Sequence, residues 1–181
     1  MSKAIHVSEI IIKSTGFAGE TAIILGSGLG SFTNILVDKI HIEYQDLPHY
    51  PTSKISGHAG ELVVGNIENE EIIVASGRSH FYEGCSKEKL TFPVKVFNEC
   101  GIKNLIITNA AGSLKKSQPP GTIAAIVGHI DCSFQKRFEA PTLNTDPRYH
   151  SPRLISLAKF VAKQNKISLN EGNYCWTLGP M

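Results

Sequence analysis

Apolar residues fall in short blocks along this chain, and the spacing inside each block predicts its element. Ile5, Ile10, Ile11 and Ile12 suit a short N-terminal helix ending near Gly16. Thr21 to Leu25 is a β-branched run that stops at glycine, which reads as a buried strand. Gly26-Ser27-Gly28-Leu29-Gly30 then turns the chain into a helix expected to reach about Val37. Ile40 to Tyr44, Glu61 to Ile67 and Glu71 to Ser76 read as further strands, the last two joined by the polar turn Glu68-Asn69-Glu70. Lys87 to Cys100 shows a helical face through Leu90, Val94 and Phe97, with Pro93 inside it and Gly101 as its cap. Asn104 to Thr108 reads as a central strand and Thr122 to Val127 as another. Gly128 to Ser151 is polar and irregular, with Pro141 and Pro147, and reads as a long surface loop. Arg153 to Lys166 is amphipathic, and Asn173 to Leu178 is a last strand. Strands alternating with helices predict an α/β fold with a mostly parallel or mixed sheet, in one domain over 1–181.

Composition narrows the class without choosing a function. At 181 residues, 41% hydrophobic and 19% charged, the chain can bury a substantial core. A net charge of +2 with no run of Lys or Arg speaks against nucleic acid as a partner. The four cysteines, Cys85, Cys100, Cys132 and Cys175, are scattered, with no CxxC and no paired metal spacing. They read as reduced thiols of a cytoplasmic protein. The first residues lack the apolar core of a signal peptide, and no stretch approaches membrane-spanning length. A membrane partner is not expected.

Chemistry concentrates where strands are expected to end. Gly77-Arg78-Ser79-His80-Phe81-Tyr82-Glu83-Gly84 follows the Glu71 strand and puts a permanent cation, an imidazole and a phenol between glycines. Arg78 offers a planar fork for phosphate or carboxylate. Ser27 lies in a glycine turn between a strand and a helix, where backbone N–H groups favour an anion. That turn fits neither the GxGxxG fingerprint nor a P-loop, and alone it is no more than a tight turn. His58, between Gly57 and Gly60, could donate to an oxyanion or simply be a solvated loop histidine. Asn109-Ala110-Ala111-Gly112 would let a ligand touch backbone amides, or serve only as a sheet-to-helix turn. Each has a bland reading, a surface salt bridge between Arg78 and Glu83 among them. In a parallel sheet, however, all four loops would gather on one edge, and together they describe an anion pocket with phosphate as the obvious occupant.

The segments GSGLGSF, GHAGEL, GRSHFYEG and TNAAGSL, in this order and spacing, closely resemble the trimeric type of purine nucleoside phosphorylase, from about Ala22 to Met181. The resemblance implies a mixed central sheet flanked by helices. It implies phosphorolysis of purine ribonucleosides or deoxyribonucleosides to free base and pentose 1-phosphate, with no metal or organic cofactor because inorganic phosphate is itself a substrate. It implies a homotrimer in the full-length family. By resemblance, Ser27, His58, Arg78, Ser79, His80 and the backbone at Ala110 would hold phosphate, with His80 also the candidate catalytic residue. Tyr82 would face the pentose, while Asn109 and Ala111 line the floor between phosphate and base. Methylthioadenosine phosphorylases share this logic and remain an alternative.

Two departures shape the expectation. The segment after Gly128-His129-Ile130 is shorter than in better-known members and lacks the loop that lends an aromatic residue to a neighbouring subunit; Phe134 and Phe138 are the candidates to substitute for it. Tyr174 to Met181 matches the strand leading to the family's GPxYE or GPxFE motif, and the sequence stops before that glutamate, which grips the purine. Glu171 reads as part of the preceding turn and not as its replacement. The C-terminal part of the fold is thus expected to be missing and the isolated chain to be inactive. The competing readings are a non-catalytic fragment, half of a split enzyme, or a phosphate- or nucleoside-binding module.

Overall fold

The computed structural model describes residues 2–52, 60–134 and 140–177. By its contacts the chain divides into two units, Met1–Ala111 and Gly112–Met181.

In the first unit, helix α1 (Lys3–Thr15) starts where the Ser2 side chain accepts from Ile5 N at 3.2 Å. It stops where Gly16 takes a left-handed conformation and donates to Ile12 O at 2.8 Å. Its buried residues Ala4, Val7, Ser8 and Ile11 recur at helical spacing, which makes one stripe. Strands β1 (Thr21–Ile24), β2 (Val37–Glu43), β3 (Glu61–Ile67), β4 (Glu70–Ser76) and β5 (Asn104–Ile107) form a sheet in the order β2-β3-β4-β1-β5. β1 is parallel to both β4 and β5, whereas β2, β3 and β4 are antiparallel neighbours. The mixed α/β sheet is as expected. Helix α2 (Lys87–Glu99) begins at Ser86, whose hydroxyl accepts from Lys89 N at 3.2 Å, and it runs through Pro93.

Successive residues of β3 face opposite sides of the sheet, and both sides are covered. Leu62 and Val64, with Ile73 and Ala75 of β4, pack against Val7 and Ile11 of α1 and Val96 and Phe97 of α2. Val63, Ile72 and Val74 face the other way, onto Leu25 and Leu36. This two-sided burial is why β4 reads as a continuous apolar run.

In this unit two boundaries and one strand position differ from expectation. The residues after the glycine turn form a short 3-10 helix, Gly30–Ile35, and β2 already starts at Val37. Leu36 is extended and buried, and the β2–β3 register shifts between Val37 and Ile40, where Asp38 has a φ of 51°. That irregularity hides the strand's alternation in the sequence. β5 is an end strand of its sheet, not a central one, with Ile106 and Ile107 exposed in this unit. Apolarity alone does not rank neighbours.

In the second unit, β6 (Ile123–Asp131) pairs parallel with β8 (Leu169–Trp176) and antiparallel with the short β7 (Leu143–Asn144). Helix α3 (Pro152–Gln164) starts at Ser151, with proline in its first turn. β6 thus extends four residues into the segment expected to be loop, and β7 lies inside it. β8 begins earlier than expected and includes Glu171; Leu178 lies outside the described residues. Among the described residues no helix is long and apolar enough to cross a membrane.

Phe97 is 1% exposed and joins α2 to the sheet. Phe97→Ala should lower unfolding free energy by about 3–5 kcal/mol in urea titrations, the cost of emptying a large core site. A loss below about 1 kcal/mol would contradict the packing described.

Cys100 closes α2, and burial, with the charge of Glu99 adding to it, pushes its thiol from 9.0 up to about 11. The folded state therefore favours the neutral thiol. Its contribution to stability is complete below pH 9.0 and disappears as pH rises through about 11. Urea midpoints measured across that range should fall, and Cys100→Ala should flatten that part of the decline.

Candidate active site

Three adjacent parallel strands end at one level. Ile24 of β1 lies opposite Ala75 of β4 on one side and Ile107 of β5 on the other. The glycine turn, the Arg78 segment and the Asn109 segment therefore leave the sheet along a single edge. The expected convergence of three of the four loops is present. His58, in the fourth, lies outside the described residues.

Thr108 joins these loops, and sequence reasoning passed over it. Its backbone N–H donates to Ile24 O at 3.0 Å, extending the β1–β5 ladder. Its hydroxyl donates to the same carbonyl at 3.2 Å and accepts from Gly26 N at 2.8 Å. Its carbonyl accepts from Arg78 Nη1 at 3.0 Å. One residue at the end of β5 thereby holds the start of the glycine turn and the guanidinium that follows β4. The approach is close: a Cβ at Gly26 would lie 2.8 Å from Thr108 O and 2.9 Å from the Asn109 Cα. Glycine is needed at 26 for space.

The Arg78 segment is built from its ends inward. Gly77 has a φ of 94°, and its carbonyl accepts from the Tyr44 hydroxyl at 2.7 Å. Tyr44 is buried, and burial, reinforced by the charge of Glu61, pushes its phenol well up, so it serves as a neutral donor. Further on, Glu83 Oε1 accepts from His80 N at 2.6 Å while Glu83 N donates to His80 O at 3.1 Å. This clamp closes the short 3-10 turn Phe81–Glu83, which ends at Gly84 with a φ of 80°. Glu83 thus serves as a local cap. The His80 and Tyr82 rings stack at 4.9 Å and 11°. Tyr82 is 55% exposed, so the stack stands at the surface of the unit.

Ser27, Ala110 and Ala111 are exposed on the same edge, and Asn109 is half-buried with its Nδ2 donating to Ala110 O at 3.4 Å. Ser79 differs. It is buried, and its hydroxyl has no partner among the described residues. With Arg78 it borders a cavity of about 260 Å³ lined mostly by apolar residues such as Ile24, Leu90 and Val94, with Tyr44, Tyr50 and Thr91 among them. The structure therefore gives Arg78 two surroundings, a polar strand-end edge and an apolar recess beside α2. Neither Tyr82 nor Asn109 borders that recess.

Among the described residues no group of three or more His, Cys, Asp or Glu could hold a metal ion. In the second unit, Glu171 pairs with Lys159 at 2.7 Å, on β8 and not in a turn. Phe134 is 71% exposed, and Phe138 lies outside the described residues.

Three parallel strands that end level beside an arginine define a broad class of α/β protein, and comparison with known proteins narrows it. Residues 20–181 match the Phosphorylase superfamily. The chain is 39% identical over 173 residues to purine nucleoside phosphorylase 1 of Geobacillus stearothermophilus, covering 89% of this chain and 61% of that one. It is 35% identical over 185 residues to the purine nucleoside phosphorylase of Mus musculus, covering 94% and 63%. A crystal structure of Schistosoma mansoni purine nucleoside phosphorylase in complex with adenosine superposes with a TM-score of 0.84 at 31% identity, covering 98% of this chain and 67% of that one. The chain belongs to the phosphorylase superfamily, within its purine nucleoside phosphorylase group. It spans 61% of the length of the Geobacillus relative.

Thr108→Val keeps the shape and removes the hydroxyl. It strands the buried Gly26 N–H and should cost about 1–3 kcal/mol of stability in denaturant titrations. A change within about 0.5 kcal/mol would show that the turn holds without Thr108.

Proposed function

We propose that this chain supplies the phosphate-binding part of an enzyme that splits purine ribonucleosides and deoxyribonucleosides with inorganic phosphate, giving free base and pentose 1-phosphate. The observation that carries this reading is the common edge of β4, β1 and β5, where Thr108 ties the glycine turn to Arg78. The family match runs through both units, which supports treating them as parts of one phosphorylase domain.

In this reading Arg78, Ser27, Ser79, His80, His58 and the Ala110 amide bind phosphate, and Tyr82 faces the pentose with Asn109 and Ala111 beneath it. Cleavage of a glycosidic bond passes through a cation-like sugar. A phosphate dianion held against the anomeric carbon stabilises that charge and then forms the new bond. The atoms balance with phosphate as the only co-substrate. His80 holds a proton-bearing ring nitrogen toward the phosphate, and its stack with Tyr82 keeps the ring plane fixed. Trimer formation is part of the proposal and rests on the resemblance; sedimentation checks it.

All the residues assigned to phosphate lie in unit one, so phosphate binding is the direct test. Calorimetry with inorganic phosphate should show saturable heat. Arg78→Ala should weaken binding by about tenfold or more, the worth of one charge-assisted hydrogen bond. Identical heats from the two proteins would sink the assignment of Arg78. Inosine phosphorolysis, followed as release of hypoxanthine, then separates a phosphate-binding module from a chain that turns over.

A further inference from the structure

The parallel register of β6 and β8 places Ile130 opposite Cys175 and Asp131 opposite Trp176. The ladder continues one step beyond β6, with Cys132 N donating to Trp176 O at 2.8 Å. Side chains two positions apart on a strand share a face, so Cys132 lies on the face of Ile130 and therefore of Cys175. The two positions are diagonal neighbours on that face, and Cys175 is the main group that holds the proton on Cys132. Both are free, Cys132 half-buried and Cys175 exposed. The Asp131 carboxylate beside them accepts from Ser133 N at 2.9 Å and from Ser133 Oγ at 2.5 Å. Neither thiol takes part in the proposed phosphorolysis.

We propose that Cys132 and Cys175 form a dithiol modification site that closes reversibly to a disulfide in exchange with low-molecular-weight disulfides. The exposed Cys175, as thiolate, attacks one sulfur of the oxidant. The oxidant's S–S bond breaks, and one thiolate leaves. Cys132, as thiolate, then attacks the Cys175 sulfur of the mixed disulfide and expels the second thiolate. The protein gives up two protons and two electrons, and the oxidant becomes two thiols. Interaction with Cys175 first, then some desolvation and the charge of Asp131, hold the Cys132 thiol above its ordinary value. Ring closure is therefore the slower step at neutral pH and accelerates as pH rises. The product ties the carboxyl ends of β6 and β8 together covalently, and a small reducing thiol reverses it.

The test uses the reduced, full 181-residue chain under native conditions with excess oxidised glutathione. Remaining thiols are trapped with N-ethylmaleimide before peptide mass mapping. The expected result is a linked pair of peptides containing Cys132 and Cys175, lighter by two hydrogens, with Cys85 and Cys100 found alkylated. Dithiothreitol should restore both thiols. Cys132→Ser should stop at a glutathione adduct on Cys175, and Cys175→Ser should lose the link. Should either variant fold poorly, the parent chain still decides the matter, because in urea the selectivity for this pair should vanish. A lasting glutathione adduct on Cys175 of the native parent chain would overturn the proposal. So would indiscriminate pairing among the four cysteines.

Discussion

The site depends on one constraint, the level ends of three parallel strands. Had β1 been antiparallel to either neighbour, its glycine turn would leave from the opposite edge. Parallel pairing fixes direction, and the Ile24–Ala75 and Ile24–Ile107 registers fix height. Thr108 then converts that shared edge into one connected structure by bonding to β1, to the glycine turn and to Arg78. β2 ends and β3 begins at this edge too, with Glu43 opposite Glu61 and Glu61 opposite Ser76. They widen the sheet and give α1 and α2 a surface to cover.

The two units differ in how much apolar material they bury. In the first, Leu62, Val64 and Ile73 meet Val7, Ile11 and Phe97 in one cluster, with a second cluster on the opposite face. At about 1.5–3 kcal/mol per fully buried aliphatic or aromatic side chain, that core carries most of the hydrophobic stabilisation. In the second, Ala162 is the one buried apolar side chain among the described residues, while Leu157, Phe160 and Val161 of α3 are exposed. Order in that unit rests on the long β6–β8 ladder.

Element types were legible wherever a local pattern was strong. The α1 helix, the Glu68-Asn69 turn and the double-sided β4 run are legible directly, although Ile11 and not Ile5, Ile10 or Ile12 belongs to the buried α1 stripe, and three of the four loops lie on one edge for the expected reason. The failures have a common origin in long-range contacts. β2 starts before its legible pattern does, because a register shift near Asp38 breaks its alternation. β5 reads as central because an apolar run does not record a strand's position in its sheet. In the sequence Thr108 reads only as the last residue of a strand. A hydroxyl at the end of a parallel strand, directly before a glycine-rich turn's spatial neighbour, was the available signal. Its partners lie more than eighty positions away in sequence, at Ile24 and Gly26. Glu171 was misplaced for a similar reason, since β8 borrows its regularity from β6.

The bond from Arg78 to the Thr108 carbonyl has a thermodynamic consequence. A long cationic side chain normally surrenders rotamer freedom when it grips a ligand, at roughly 0.5–1.5 kcal/mol. Here part of that ordering is completed during folding, because Nη1 is already anchored across the end of β1. An incoming anion would meet a guanidinium whose plane is set in advance. Recognition at this edge then resembles docking against a fixed template, and its entropy change should reflect released water more than a stiffened side chain.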